Sequence, residues 1–215
     1  MGAVLAAGGL PSGHDFFWIT LAMVGARSAA LALNNLIDLK YDKLHPRFTK
    51  RPMVTGAVKV WEAVLLIIFS LAVFIIAAAN LHPLALKLSP LALIPLSVYP
   101  YMKRFSWTCH LVLGLALAVA PAGAWIAVRG DLTLPVMLLS LAVGVWIAGF
   151  DVIYGCQDVA FDKAHGLHSM PVRFGVEGAL TLSKLMHAVS TVCFAAVGIL
   201  LNLMWIYYIG VIVAA

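Results

Sequence analysis

The run LPVMLLSLAVGVWIAGFDVIY, Leu134–Tyr154, decides the fold. Its length as an α-helix would be about 31 Å, roughly the hydrocarbon thickness of a bilayer. Only Asp151 carries charge, and it lies near the end of the run rather than its middle. A helix apolar on every side belongs in lipid. Six further apolar runs fall at Phe16–Ile37, Val60–Leu81, Leu88–Tyr101, Leu111–Val128, Leu180–Leu201 and Met204–Ala215. The whole chain agrees: 63% of its 215 residues are hydrophobic and 11% charged, with a mean hydropathy of +1.02. The expectation is one all-α domain over residues 1–215, a polytopic transmembrane helical bundle of about seven spans. Leu88–Tyr101 is short and holds Pro90, Pro95 and Pro100, which predicts a kinked or re-entrant helix.

The net charge of +5 has no soluble basic module to carry it, which argues against nucleic acid as a partner. Its distribution is more informative. Threading the spans puts connections 38–59, 102–110 and 155–179 on one side. Lys40, Lys43, Arg47, Lys50, Arg51, Lys59, Lys103, Arg104, Lys163, Arg173 and Lys184 gather there. The other side holds Lys87 and Arg129, while Arg27 lies within a span. Positive-inside asymmetry makes the loaded side cytoplasmic. Met1 to Gly9 lacks the basic start of a cleavable signal. Residues 1–13 read as a short apolar stub on the outer side. Cys109, Cys156 and Cys193 have no metal-ligand spacing and read as packed thiols.

Two acidic clusters lie on the loaded side. In Asn34-Asn-Leu-Ile-Asp38-Leu-Lys-Tyr-Asp42, the residues Asn34, Asp38 and Asp42 form a stripe spaced by single helical turns. In Asp151-Val-Ile-Tyr154-Gly-Cys-Gln-Asp158-Val-Ala-Phe-Asp162, the spacing places Asp151, Tyr154, Asp158 and Asp162 on one face of a continuous helix. Carboxylates stacked beside lipid repel one another and are costly to ionise. A hard cation resolves that conflict: Mg²⁺ takes one or two carboxylates together with substrate phosphates. The alternative, that these are only solvated helix ends, explains one cluster more easily than two.

Basic residues follow both clusters. They are Arg47 and Arg51 in His45-Pro-Arg47-Phe-Thr-Lys50-Arg51-Pro52, Lys103 and Arg104 after Tyr99-Pro-Tyr-Met, and Arg173 after His165-Gly-Leu-His168. Arginine suits bidentate contact with phosphate, and lysine acts as a mobile point charge. Acids and bases at one depth fit a metal–diphosphate complex better than either sign alone. Arg27 lies seven residues before Asn34, on the same stripe and deeper. Its burial in lipid costs about 2.5–3.5 kcal/mol unless it faces a cavity or a partner. It is expected to line the pocket and hold an anionic acceptor or the diphosphate; an interior ion pair is the alternative. His165 and His168 lack a third ligand at zinc spacing, and His110 and His187 read as satisfied interior imidazoles. Trp18, Trp107, Trp125, Trp146 and Trp205 fit membrane anchoring or packing.

At these residues the chain resembles the UbiA superfamily of membrane prenyltransferases. Asn34, Asp38 and Asp42 match the first signature, with Asn35 where many members have Asp. Asp151, Tyr154, Asp158 and Asp162 match the second, and the basic landmarks follow in order across about residues 14–205. The branch it looks most like is the 4-hydroxybenzoate polyprenyltransferase one, including the type of the futalosine route to menaquinone. The resemblance implies a bundle of about nine helices, so seven spans suggest an incomplete fold of that type. It also implies transfer of a polyprenyl group from its diphosphate to an aromatic acceptor in quinone biosynthesis, in a bacterial inner membrane. Mg²⁺ would be held by Asn34, Asp38, Asp42, Asp151, Asp158 and Asp162. Arg47, Arg51, Lys103, Arg104 and Arg173 would bind substrate charge, and Tyr154 would touch the diphosphate or steady the cation. Haem- or chlorophyll-prenylating relatives share these motifs. A transporter is the rival outside enzymes, and it would place its acids near the midplane.

Overall fold

The computed structural model describes residues 1–214, and these fold as helices joined by short loops. In chain order they are α1 (Gly2–Ala7), α2 (Gly13–Asp42), α3 (Pro52–Thr55), α4 (Val60–Ala79), α5 (Pro83–Met102), α6 (Cys109–Arg129), α7 (Leu134–Gly155), α8 (Val159–Ala164), α9 (Met170–Leu200) and α10 (Trp205–Ala214). Helices are forced by the solvent: lipid offers backbone groups no partner, so each segment must satisfy its own. Among the described residues six helices are long and apolar enough to cross a membrane, not seven. The difference is α10, whose 10 residues fall short of the thickness.

The proline-rich segment is longer than the run suggested: of the two expected forms it is not the re-entrant one but a continuous 20-residue helix starting at Pro83, with Pro90, Pro95 and Pro100 inside it. Each interior proline deletes an N–H and leaves a carbonyl four residues back without its donor. For Pro90 that carbonyl is Leu86, and the buried Ser89 hydroxyl donates to it at 2.8 Å. This side-chain repair is one way lipid-embedded helices tolerate proline.

The bundle packs α2 on α4, α5 on α6, α6 on α7 and α7 on α9, with α1 lying against α6. Lipid gives apolar side chains no reason to prefer one another, so association relies on close backbone approach and interhelical hydrogen bonds. Both occur. A Cβ on Gly114 of α6 would stand 2.3 Å from the Gly144 oxygen of α7. Ser183 and Ser190 of α9 each donate across to α7, to the carbonyls of Gly149 and Ala142, at 2.8 Å.

The second motif is not one continuous helix. A 3₁₀ turn, Cys156–Asp158, separates α7 from α8. Three residues to a turn instead of 3.6 advance the chain about 20° further per residue, so Asp158 and Asp162 are turned about 60° from where a continuous α-helix would carry them. The expected single stripe is therefore broken after Gly155. Helix α9 also breaks, at Gly175, whose φ of 74° is open to glycine at no steric cost.

Candidate active site

Both acidic clusters lie at one end of the bundle, where α2, α5 and α7 finish and α6 and α9 begin. Asp38 and Asp42 from α2 meet Asp158 and Asp162 from the second motif around one small cavity of about 70 Å³. Lys103 and Arg104 from the end of α5 line it too, with Tyr41, His45, Phe48, Phe161 and Leu167.

Each of these carboxylates is held by a cation. Arg51 Nη1 donates to Asp42 Oδ2 at 2.5 Å, and Arg47 Nη1 to Asp158 Oδ1 at 2.5 Å. Lys103 Nζ stands 3.4 Å from Asp162 and Arg104 Nη2 3.6 Å from Asp38. Arg104 also donates to the Ile37 carbonyl at 2.7 Å, and Asn34 donates to Asp38 at 3.1 Å. The pairing is crossed: the loop after the first motif reaches Asp158 of the second, and α5 touches one acid of each. Burial disfavours the Lys103 ammonium, but Asp162 above all, with Asp151 and Asp158, outweighs it and holds its pKa above the ordinary lysine value.

Aromatic rings lock the same loop. Phe48, His45, Phe161 and His165 pack in sequence, with centroids 4.4, 4.2 and 4.0 Å apart, the outer two pairs stacked and the middle pair tilted. Arg51 lies over the Phe48 ring at 3.8 Å, a contact worth about 0.5–1 kcal/mol where exposed. His45 Nε2 is 3.3 Å from Asp158, off the line of a hydrogen bond. Motif spacing marks the acids and bases; the rings between them are legible only once the loops have folded together.

A second, larger cavity of about 390 Å³ lies among α2, α4, α5 and α6. Ala22, Ala26, Leu88, Leu117 and Ala120 are typical of its walls, and Tyr99 lines it. Arg27 is its charged lining residue, and no carboxylate pairs with it among the described residues. The interior ion pair is thus not formed, and Arg27 lines this apolar cavity instead of the pocket of the acids that was expected for it.

Of the remaining expected residues, Asp151 lies near enough for its charge to act on Lys103, while Tyr154 and Arg173 lie elsewhere. Asp151 and Tyr154 line neither cavity. Tyr154 is 61% exposed, and Asp151 accepts a hydrogen bond from His110 at 2.6 Å. Arg173 is exposed near the break in α9. His110 emerges as a residue that spacing did not mark.

Among the described residues no three His, Cys, Asp or Glu side chains already form a metal-holding group. The donor set still fits a hard divalent cation. It is all oxygen, with two carboxylates from each motif on one cavity. The Asp42 and Asp162 side chains, only 6% and 2% exposed, are pre-placed inside it.

A charged rim above an apolar chamber, both built from membrane helices, defines a polytopic protein for amphiphiles with an anionic head and a lipid tail. Sequence comparison makes the class specific: the UbiA prenyltransferase family matches residues 1–215, and the chain belongs to that family. It is 34% identical over 214 residues to the 4-hydroxybenzoate octaprenyltransferase of Methylobacillus flagellatus, covering 100% of this chain and 72% of that protein. A UbiA homologue from Aeropyrum pernix superposes with a TM-score of 0.91 at 38% identity, covering 99% of this chain and 80% of the other. An Archaeoglobus fulgidus homologue bound to GPP and Mg²⁺ shares the fold, with a TM-score of 0.80 at 24% identity over 99% of this chain and 77% of the other.

Proposed function

We propose that the chain transfers a polyprenyl group from polyprenyl diphosphate to 4-hydroxybenzoate or a closely similar phenolic acid, in quinone biosynthesis and with Mg²⁺. The observation that carries this reading is the convergence of Asp38, Asp42, Asp158 and Asp162 with Lys103 and Arg104 on one cavity. The acceptor named for relatives such as the Methylobacillus flagellatus enzyme supports the phenolic acid. The Mg²⁺ and GPP bound by the Archaeoglobus fulgidus homologue support the donor and the metal. The positive-inside pattern supports a rim on the cytoplasmic side of a bacterial inner membrane.

Asp38, Asp42, Asp158 and Asp162 would hold the ion, with Asn34 and Asp151 beside them. Bound there, Mg²⁺ would offset the charge that builds on the leaving diphosphate. Arg47, Arg51, Lys103 and Arg104 pass from carboxylate to phosphate oxygens when substrate arrives, so no cation is left buried without a partner. Fixed in place, they stabilise the leaving group as the allylic C–O bond breaks. The apolar chamber takes the tail and keeps water from the allylic cation. Arg27 anchors the acceptor carboxylate and directs the ring carbon beside its hydroxyl toward that cation.

Incubating the purified protein with radiolabelled GPP and a panel of phenolic acids tests the reading. Label is expected in prenylated 4-hydroxybenzoate, and EDTA abolishes it. Transfer to no acid in the panel, or turnover indifferent to EDTA, would overturn it.

A further inference from the structure

We propose that His110 is a positioning residue that fixes the Asp151 carboxylate for the metal–diphosphate site; the inference rests on the function proposed above. His110 lies in the first turn of α6 and is 0% exposed. An imidazole in such a place is costly unless it is hydrogen-bonded. Its one partner is Asp151, with Nδ1 2.6 Å from Oδ2. An ionised carboxylate only accepts, so Nδ1 carries the proton. Nε2 is buried and has no hydrogen-bond partner among the described residues.

The room for this ring comes from Gly155. A Cβ there would stand 3.0 Å from His110 Cε1 and 3.4 Å from Nε2. Asp151 and Gly155 are one turn apart on α7, on the same face. The missing side chain at one position admits the ring that grips the other. The start of α6 is tied down in turn: Cys109 Sγ lies 3.6 Å from the His168 carbonyl, and the His168 N–H donates to the Lys103 carbonyl at 2.6 Å. These contacts tie the start of α6 to the loop after the second motif.

His110 occupies one oxygen of Asp151, whose charge also reaches Lys103 at the rim, and the other oxygen has no hydrogen bond among the described residues. With its side chain 34% exposed, Asp151 would otherwise have several rotamers available. Outer hydrogen bonds of this kind orient ligating groups, and their loss weakens metal affinity by about 10–100-fold. Asp151 is the second-motif acid that no cation of the rim holds, so the hydrogen bond from His110 replaces an ion pair as its orienting contact.

His110→Met and His110→Gln separate positioning from packing, because the two side chains are close in shape and only Gln donates. Mn²⁺ binding in the presence of pyrophosphate, followed by EPR on purified protein, is the first readout. His110→Met is expected to weaken it about tenfold or more and lower kcat in step, with the acceptor KM unmoved. His110→Gln recovers the larger part of that loss. Equal Mn²⁺ affinity in the two variants would reduce His110 to a space filler and overturn the proposal. On an Asp151→Asn background His110→Met should cost nothing more; an undiminished loss there would equally overturn it. A wild-type protein that transfers no prenyl group would refute the proposed function, while the Mn²⁺ comparison would still decide the role of His110.

Discussion

The rim and the chamber treat charge in opposite ways. At the rim, Asp38, Asp42, Asp158 and Asp162 each face a basic partner within 3.6 Å or less. In the chamber, Arg27 faces alanines, leucines and Tyr99, with no acid paired to it among the described residues. Seven residues of α2 separate Arg27 from Asn34, about 10 Å along the axis. A rim that is neutral pair by pair persists without ligand, and substrate exchanges those pairs rather than creating them. The Arg27 guanidinium in its apolar chamber has no such counter-charge among the described residues. The same helix thus carries an internally balanced site at its end and an unbalanced one inside.

Removing a rim carboxylate should have the largest effect. Asp158→Ala would free Arg47 and strip a metal donor together, and Asp38→Ala would do the same to Arg104 and Asn34. Each is expected to cut kcat about 10²–10³-fold, the scale of losing a preorganised charge at a developing anion. Turnover of labelled GPP with saturating 4-hydroxybenzoate measures it. Near wild-type rates in both variants would make the rim a structural ion-pair network and erase its contrast with the chamber.

Much of this contrast was legible before folding. Asn34, Asp38 and Asp42 recur at four-residue spacing, and α2 runs unbroken through all three, so the predicted stripe is real. The second cluster obeyed the same arithmetic only to Gly155. Beyond it the 3₁₀ turn changes the angle per residue, and four-letter spacing cannot see a change of helix type. That is why Asp158 and Asp162 reach the cavity while Tyr154 points elsewhere. His110 was legible as an interior imidazole but its pairing with Asp151 was not, because the two lie 41 residues apart and the ring's space is made by a glycine. Which of the two forms the proline-rich segment takes is not legible from counting breakers, because they do not show the serine hydroxyl that partners the freed carbonyl.

Arg27→Gln should have the next largest effect, and a selective one. If the chamber's single charge meets the acceptor carboxylate, the acceptor KM rises about tenfold or more, the scale of a lost charge-assisted hydrogen bond, while the KM for GPP stays within about twofold. Steady-state kinetics with each substrate varied in turn separates the two. A rise confined to GPP would move Arg27 into the rim's work. Unchanged values for both would leave the chamber a plain groove for the tail.

The smallest expected effect is a flat line, and it tests the rim's balance most directly. The acids around Lys103, Asp162 foremost, raise its pKa against the pull of burial. A lysine held above its ordinary value remains protonated as pH climbs through the range where an unperturbed amine, near about 10.4, begins to lose its proton. The KM for GPP is therefore expected to vary less than about twofold between about pH 7.5 and 9.5. Lys103→Gln, uncharged at every pH, should raise that KM several-fold and leave the profile equally flat. A wild-type KM that climbs toward the variant's value by pH 9 would mean the ammonium is discharging early. Its acids would then not be holding it, and the rim would share the chamber's imbalance.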